Sequence, residues 1–143
     1  MTKGSTSRTK GHNFERLICK MINEQMTSSG LPYSVSRNLD QTRDGGSDIL
    51  GLNNYTIECK RHAKGCRPQK AWWDQVTAAA GETTPLLIYK FDRSPVEVMF
   101  PAMLFSFQEE LAQFGDYNAR MLFDDFLYLF TCLLGAQNDA RYV

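Results

Sequence analysis

The sequence predicts a mixed α/β fold, with helices packed on a β-sheet, and three observations carry that prediction. Phe14, Leu17, Ile18, Met21 and Ile22 recur at the spacing of one apolar helix face. Leu86-Leu87-Ile88-Tyr89 is a continuous apolar run of strand length, as expected where both sheet faces are covered. Tyr55 to Lys60 reads as a strand whose alternation places Ile57 and Cys59 on one face and Glu58 and Lys60 on the other.

The remaining elements follow in order. Lys3, Arg8 and Lys10 lie among Gly, Ser and Thr, the composition of a flexible basic arm. The first helix should stop near Ser28-Ser29-Gly30. Tyr33 to Arg37 alternates weakly and reads as a first strand. Asn38 to Ser47, with Asp44-Gly45-Gly46, reads as a loop leading into Asp48. A short apolar strand, an Asn53-Asn54 turn and the strand with Glu58 then form a hairpin. After a basic loop from Arg61 to Pro68, a second helix runs from Gln69 to Ala80 and ends at Gly81.

Val96 to Phe100 alternates and should pair with the apolar run at 86–89. Ser106-Phe107-Gln108-Glu109 has the form of a capping box, which places a third helix up to Phe114 with Gly115 as its stop. In the last helix, Leu122 to Leu134, Phe123, Phe126, Leu127, Phe130 and Leu134 make one face. Leu122, Leu129 and Leu133 extend it. A helix this apolar must be covered on all sides, by a second copy of the chain or by deep burial within one copy. The predicted order is helix, three strands, helix, two strands, then helices.

Composition narrows the class. A chain of 143 residues can bury one core but not two, so residues 1–143 are expected to form a single domain. No run of 18 apolar residues occurs, which excludes a membrane-spanning helix, and the polar, basic start reads against a secretory signal. Cys19, Cys59, Cys66 and Cys132 lack CxxC spacing, and three of them lie in apolar-patterned segments. They read as reduced thiols in a cytoplasmic protein. The net charge of zero hides a division: residues 1–75 carry +5 and residues 76–143 carry −5. A basic half suits a polyanionic partner.

Within that basic half, Glu58 and Lys60 share a strand face and the hairpin brings Asp48 beside them. Two neighbouring carboxylates repel, and a cation must offset that. A divalent ion held by oxygen ligands, with Lys60 as a second positive charge, would equip the spot to hydrolyse a phosphodiester. The competing reading is an ordinary Glu–Lys pair on an exposed sheet face. His62, Cys59 and Cys66 form a conceivable zinc set that lacks a fourth ligand. Arg61, Lys64, Arg67 and Lys70 follow the same strand and are placed for phosphate contacts, or form a solvated loop. Trp72 and Trp73 lie about 100° apart on their helix, so only one can be central to the core.

These residues resemble the PD-(D/E)xK nuclease superfamily, and within it the Holliday junction resolvases of archaea and their phage-encoded relatives. The motifs are Lys10-Gly11 with Glu15-Arg16 on the first helix, Arg37 on the first strand, Asp48, Glu58-Cys59-Lys60, and Gln75 on the second helix. The resemblance covers roughly residues 8–100, about two-thirds of the chain. The order and spacing of the motifs are more specific for the superfamily than for its junction-resolving branch.

The resemblance implies a central mixed β-sheet flanked by helices, a restriction-endonuclease-like core; the C-terminal helical extension at 101–143, read from the apolar last helix itself, is expected to carry the dimer contact. The resemblance also implies Mg²⁺ with Mn²⁺ able to substitute, no organic cofactor, a homodimer and branched DNA as substrate, in the host cytoplasm if the chain is phage-encoded. Asp48 and Glu58 would bind metal with the Cys59 backbone carbonyl, and Glu15 would be a further ligand. Glu15, Asp48, Glu58, Lys60 and Gln75 form the expected catalytic set. Arg8, Lys10, Arg16, Arg37, Arg43, Arg61, Lys64 and Arg67 form the expected DNA-binding set.

Two departures stand out. Ser47 occupies the place of the usual proline, and no loop serine is clear among Asn38 to Arg43. The second loosens the tie to junction resolution and leaves open a restriction-like or repair nuclease acting on duplex or single-stranded DNA. A DNA-binding module that no longer cleaves is the alternative from outside the enzymes.

Overall fold

The computed structural model describes residues 3–40, 46–105 and 117–140. Among these, α1 (Lys3–Ser28) is followed by β1 (Ser36–Arg37), β2 (Ile49–Leu50), β3 (Tyr55–His62), α2 (Lys70–Ala80), β4 (Thr84–Phe91) and β5 (Glu97–Pro101). A 3₁₀ turn (Ala102–Phe105), β6 (Asn118–Leu122) and α3 (Phe123–Ala140) complete the order. The strands form one sheet in sequential order from β1 to β6. Among the described strands only β3 and β4 run parallel, which requires the α2 crossover between them; the other neighbours are antiparallel.

The sheet has an apolar layer on each face. On one side Phe14, Ile18, Ile22 and Met26 of α1 meet Ile57, Ile88 and Val98 of the sheet and Phe123, Phe126 and Phe130 of α3. On the other side Trp72 and Val76 of α2 pack on Leu87, Tyr89 and Phe91. β4 supplies both layers, which is why its sequence is apolar without alternation. No helix among the described residues is long and apolar enough to cross a membrane.

The structure departs from the sequence expectations in four places. Helix α1 begins at Lys3, so residues 3–11 continue the helix where a flexible basic arm was expected. Once residues 14–26 are docked, each added turn costs little, and Gly11 carries a penalty of only about 1 kcal/mol. The first strand is confined to Ser36–Arg37. Asn118–Leu122 is a strand paired with β5, so the C-terminal region is not purely helical. Its outward residues are polar or exposed, and the sequence lacks the β-branched signature of a strand.

The fourth departure concerns α3. Phe123, Phe126 and Phe130 are 1–2% exposed inside one copy of the chain, so this aromatic face belongs to the core and not to a contact between copies. Phe126 and Phe130 stack at 5.1 Å, and Phe126 also meets Phe100 at 5.4 Å. The helix expected at 106–114 lies outside the described residues.

Candidate active site

The hairpin that positions the site is locked by main-chain constraints. Gly51 has a φ of 124°, and a Cβ there would stand 2.1 Å from the Ser34 carbonyl oxygen, so only glycine allows this approach. Ser47, in the place of a proline, ties the two strands together: its Oγ donates to the Ile49 carbonyl at 2.6 Å and accepts the Ile57 N–H at 2.9 Å. Asn38 donates its side-chain amide to the Ser47 carbonyl at 3.0 Å and its N–H to the Asp48 carbonyl at 2.9 Å. The backbone around Asp48 is therefore fixed on both sides.

Asp48 is 6% exposed, and its Oδ2 accepts the Cys59 N–H at 2.7 Å. The β2–β3 register ends at Ile49 opposite Ile57, so the edge of β3 beyond that pair meets the Asp48 side chain in place of a strand. A strand residue presents its N–H and C=O to the same edge, which puts the Cys59 carbonyl on the Asp48 side.

Glu58 and Lys60 stand opposite Leu87 and Tyr89 in the parallel register, on the face that α2 covers. Glu58 is 8% exposed, and Lys60 Nζ lies 3.1 Å from its Oε1. Burial, followed by the Asp48 charge, pushes the Glu58 carboxyl up to about 6, while Lys60 pulls it down. A smaller upward contribution comes from Glu15. The surface-pair reading of Glu58 and Lys60 does not match this burial.

Glu15 lies on α1 and accepts the Arg37 Nε at 2.8 Å, both side chains being largely buried. Arg37 is thus committed to Glu15 instead of standing open to DNA. Among the described residues no three His, Cys, Asp or Glu side chains gather to hold a metal ion, so Glu15 does not complete a three-side-chain set. The zinc set is not assembled either. His62 packs on Trp72 at 4.8 Å, Cys66 is exposed, and Cys59 sits against the α1-side core.

The Asp48–Glu58 pair nevertheless fits a hard divalent cation: both donors are oxygen, both are buried, and each raises the cost of the other's charge. The Cys59 carbonyl, water and phosphate oxygens are the kinds of donor that would complete the shell.

The other expected residues are spread more widely. Gln75 is exposed on α2 beside buried Val76. Trp72 is the buried tryptophan, stacked on Phe91 at 5.9 Å, and Trp73 is half-buried. Arg8 and Arg16 are exposed on α1, with Arg16 donating to Asn13 at 2.9 Å. Lys64 and Arg67 are exposed on the loop after β3, and Arg43 lies outside the described residues. Lys10 and Arg61 both reach Asp92, a residue the motif reading did not single out. The signal available was its position directly after the apolar strand, opposite the basic loop. The structural role of Ser47 is not legible in the sequence either, because a serine's hydrogen bonds across a hairpin leave no pattern there.

Comparisons with known proteins bear on this arrangement. The model of a family described as "phage putative PDDEXK endonuclease" matches residues 6–122. A search of curated proteins found no match. Among solved structures the chain is similar to Hjc, a Holliday junction resolvase from the archaeal hyperthermophile Archaeoglobus fulgidus. The identity is 17% and the TM-score 0.43, over 78% of this chain and 88% of that one. The family match takes in α1 from residue 6, the hairpin, α2 and all six strands, and this protein belongs to that family, described as "phage putative PDDEXK endonuclease".

Proposed function

We propose that this endonuclease is a divalent-metal-dependent, structure-selective DNA endonuclease that resolves four-way junctions as a homodimer in the cytoplasm of the phage host. The observation that carries the catalytic part is the buried pairing of Asp48 with Glu58, beside a Lys60 ammonium 3.1 Å from the Glu58 carboxylate. Branched DNA as the substrate rests on the resemblance of the motif set from Lys10 to Gln75 to junction resolvases, a narrower reading than the superfamily those motifs mark.

Bound Mg²⁺ or Mn²⁺ would supply Lewis acidity and an activated water for attack on the phosphodiester. Asp48 and Glu58 would hold the ion, with the Cys59 carbonyl as a further oxygen donor. The Cys59 N–H keeps Asp48 aimed. Lys60 places positive charge where negative charge develops on the phosphate. Glu15, anchored by Arg37, acts from the α1 side, and Gln75 donates to the DNA backbone from the α2 surface.

A four-way junction requires two symmetric cuts, which a two-fold dimer supplies. The outer side of α3, with the end of β6 that leads into it, is the surface we assign to that contact: Tyr128 and Leu129 of α3 and Leu122 of β6 are exposed large apolar side chains.

The test is cleavage of junction, flap, duplex and single-stranded DNA in parallel, in Mg²⁺ and in EDTA. Metal-dependent, paired nicking of the junction at the highest rate is expected. Equal cleavage of plain duplex would make the protein a restriction-like or repair nuclease. Binding without cleavage in either Mg²⁺ or Mn²⁺ would refute the enzymatic reading.

A further inference from the structure

Two residues beyond Cys59 along β3, a groove of about 240 Å³ opens between α1 and the ends of β3 and β4. Lys10, Asn13, Phe14, Leu17, Arg61 and Lys90 line it. Three cations therefore meet over an apolar floor, and among the described residues one carboxylate, Asp92, pairs with two of them. Asp92 pairs with Arg61 Nη2 and with Lys10 Nζ at 3.4 Å.

The two partners are held differently. Arg61 is 16% exposed, and its Nη1 donates to the His62 carbonyl at 2.7 Å, so the guanidinium is fixed without Asp92. Asp92 is 39% exposed and sits in the turn after β4, where Arg93 adopts a left-handed φ of 62°. Arg61 chiefly, with help from Lys10, holds the Asp92 carboxyl below the usual carboxylate range.

A structural ion pair needs one cation for one carboxylate. Here, among the described residues, three cations leave an excess of positive charge at the mouth of a groove on the α1 face of β3, the strand whose α2 face carries Glu58 and Lys60. We propose that this groove is a seat for the DNA phosphate backbone, and that Asp92 fills it in the free protein as a built-in counter-anion which DNA displaces. The seat rests on the reading of the protein as a DNA endonuclease. It would bring the backbone to β3 in a fixed register and set a threshold against weak anionic ligands.

The experiment measures binding of a short duplex and of a four-way junction in EDTA, so that cleavage plays no part. The variants are Asp92→Asn, Arg61→Gln, their double variant and Glu24→Gln. Glu24 pairs with Lys20 on the exposed side of α1 and controls for net charge.

Asp92→Asn should tighten binding about fivefold and steepen the salt dependence by about one phosphate contact. The gain should vanish in the double variant, while Glu24→Gln should change affinity little. An equal gain from Glu24→Gln, or no gain from folded Asp92→Asn, would overturn the proposal. If Asp92→Asn does not fold, Lys10→Gln on the helix surface carries the test. It should weaken binding about threefold, and unchanged affinity would reject the seat. Failure of these variants alongside intact metal-dependent cleavage strikes only this inference. Absence of both binding and cleavage by the unmodified chain strikes the endonuclease reading with it.

Discussion

The Asp48 carboxylate accepts the backbone N–H of Cys59 at 2.7 Å, joining the mouth of β2 to the strand that carries Glu58 and Lys60. One oxygen of Asp48 thereby replaces the missing strand partner. This gives the residue a structural duty besides the metal-binding role proposed for it, and the two can be separated by substitution.

Asp48→Asn retains a carbonyl oxygen that can accept the Cys59 N–H, whereas Asp48→Ala leaves that donor without it. Both variants should lose cleavage and retain DNA binding. Asp48→Ala should in addition be less stable than Asp48→Asn by about 1–3 kcal/mol. Urea unfolding and a nicking assay on the same preparations check this. Equal stability would show that the hydrogen bond does not support the hairpin.

Glu58 gives a pH signature in the metal-free protein. Its carboxyl rises from 4.5 in a free chain to about 6 when folded, mainly through burial and then through Asp48. The folded state thus holds the proton more tightly than the unfolded state. The group's contribution is most favourable below pH 4.5, declines as pH rises toward 6, and is constant above that. Glu58→Gln should therefore stabilise the EDTA-treated protein at pH 7.5 by on the order of 1–2 kcal/mol, with the difference disappearing near pH 4. Mg²⁺ should raise the melting temperature of the unmodified protein and not that of Glu58→Gln. Denaturant unfolding at the two pH values would expose the opposite sign.

Lys60→Ala should reduce the cleavage rate by about two to three orders of magnitude, since a positive charge aimed at a developing phosphate charge contributes about that much. Metal affinity, followed by Mg²⁺-dependent thermal stabilisation, should change little. A normal rate in this variant would leave Lys60 as only the ion-pair partner of Glu58.

The two sides of α3 should respond differently. Phe126→Ala/Phe130→Ala removes two stacked, fully buried rings, each worth about 3–5 kcal/mol, and should leave the chain unfolded or aggregated. Leu129→Glu alters an exposed position and should shift stability by no more than about 0.5 kcal/mol. If the outer side of α3 is the dimer contact, Leu129→Glu should sediment as a folded monomer that nicks junctions singly. A dimer of unchanged strength would move the contact elsewhere.

DNA affinity should fall steeply with salt. With roughly six phosphate contacts, it should drop by about three orders of magnitude between 50 and 200 mM salt. A fluorescence-anisotropy titration with a nearly flat salt dependence would instead point to recognition of base edges or of a small ligand.

Short-range chemistry was enough to read much of this protein. The periodicity of Phe14 to Ile22 marks the core face of α1, Gly81 ends α2, and the apolar run at 86–89 forms a strand covered on both sides. Period-two alternation separates Ile57 from Glu58 and Lys60, and the Asn53-Asn54 turn brings Asp48 to them. Each of these follows from residues close together along the chain. Tertiary packing decided what the sequence left open. Whether the aromatic face of α3 is covered by its own chain or by a second copy depends on the positions of Phe100 and Phe105, far away in sequence. Asn118–Leu122 becomes a strand because β5 offers it an edge, not because its residues favour one. Arg37 goes to Glu15, and Lys10 and Arg61 to Asp92, because the fold brings opposite charges within reach across as many as 82 positions. A charge's partner is set by distance in space, and one-dimensional spacing carries that information only within a single helix, strand or turn.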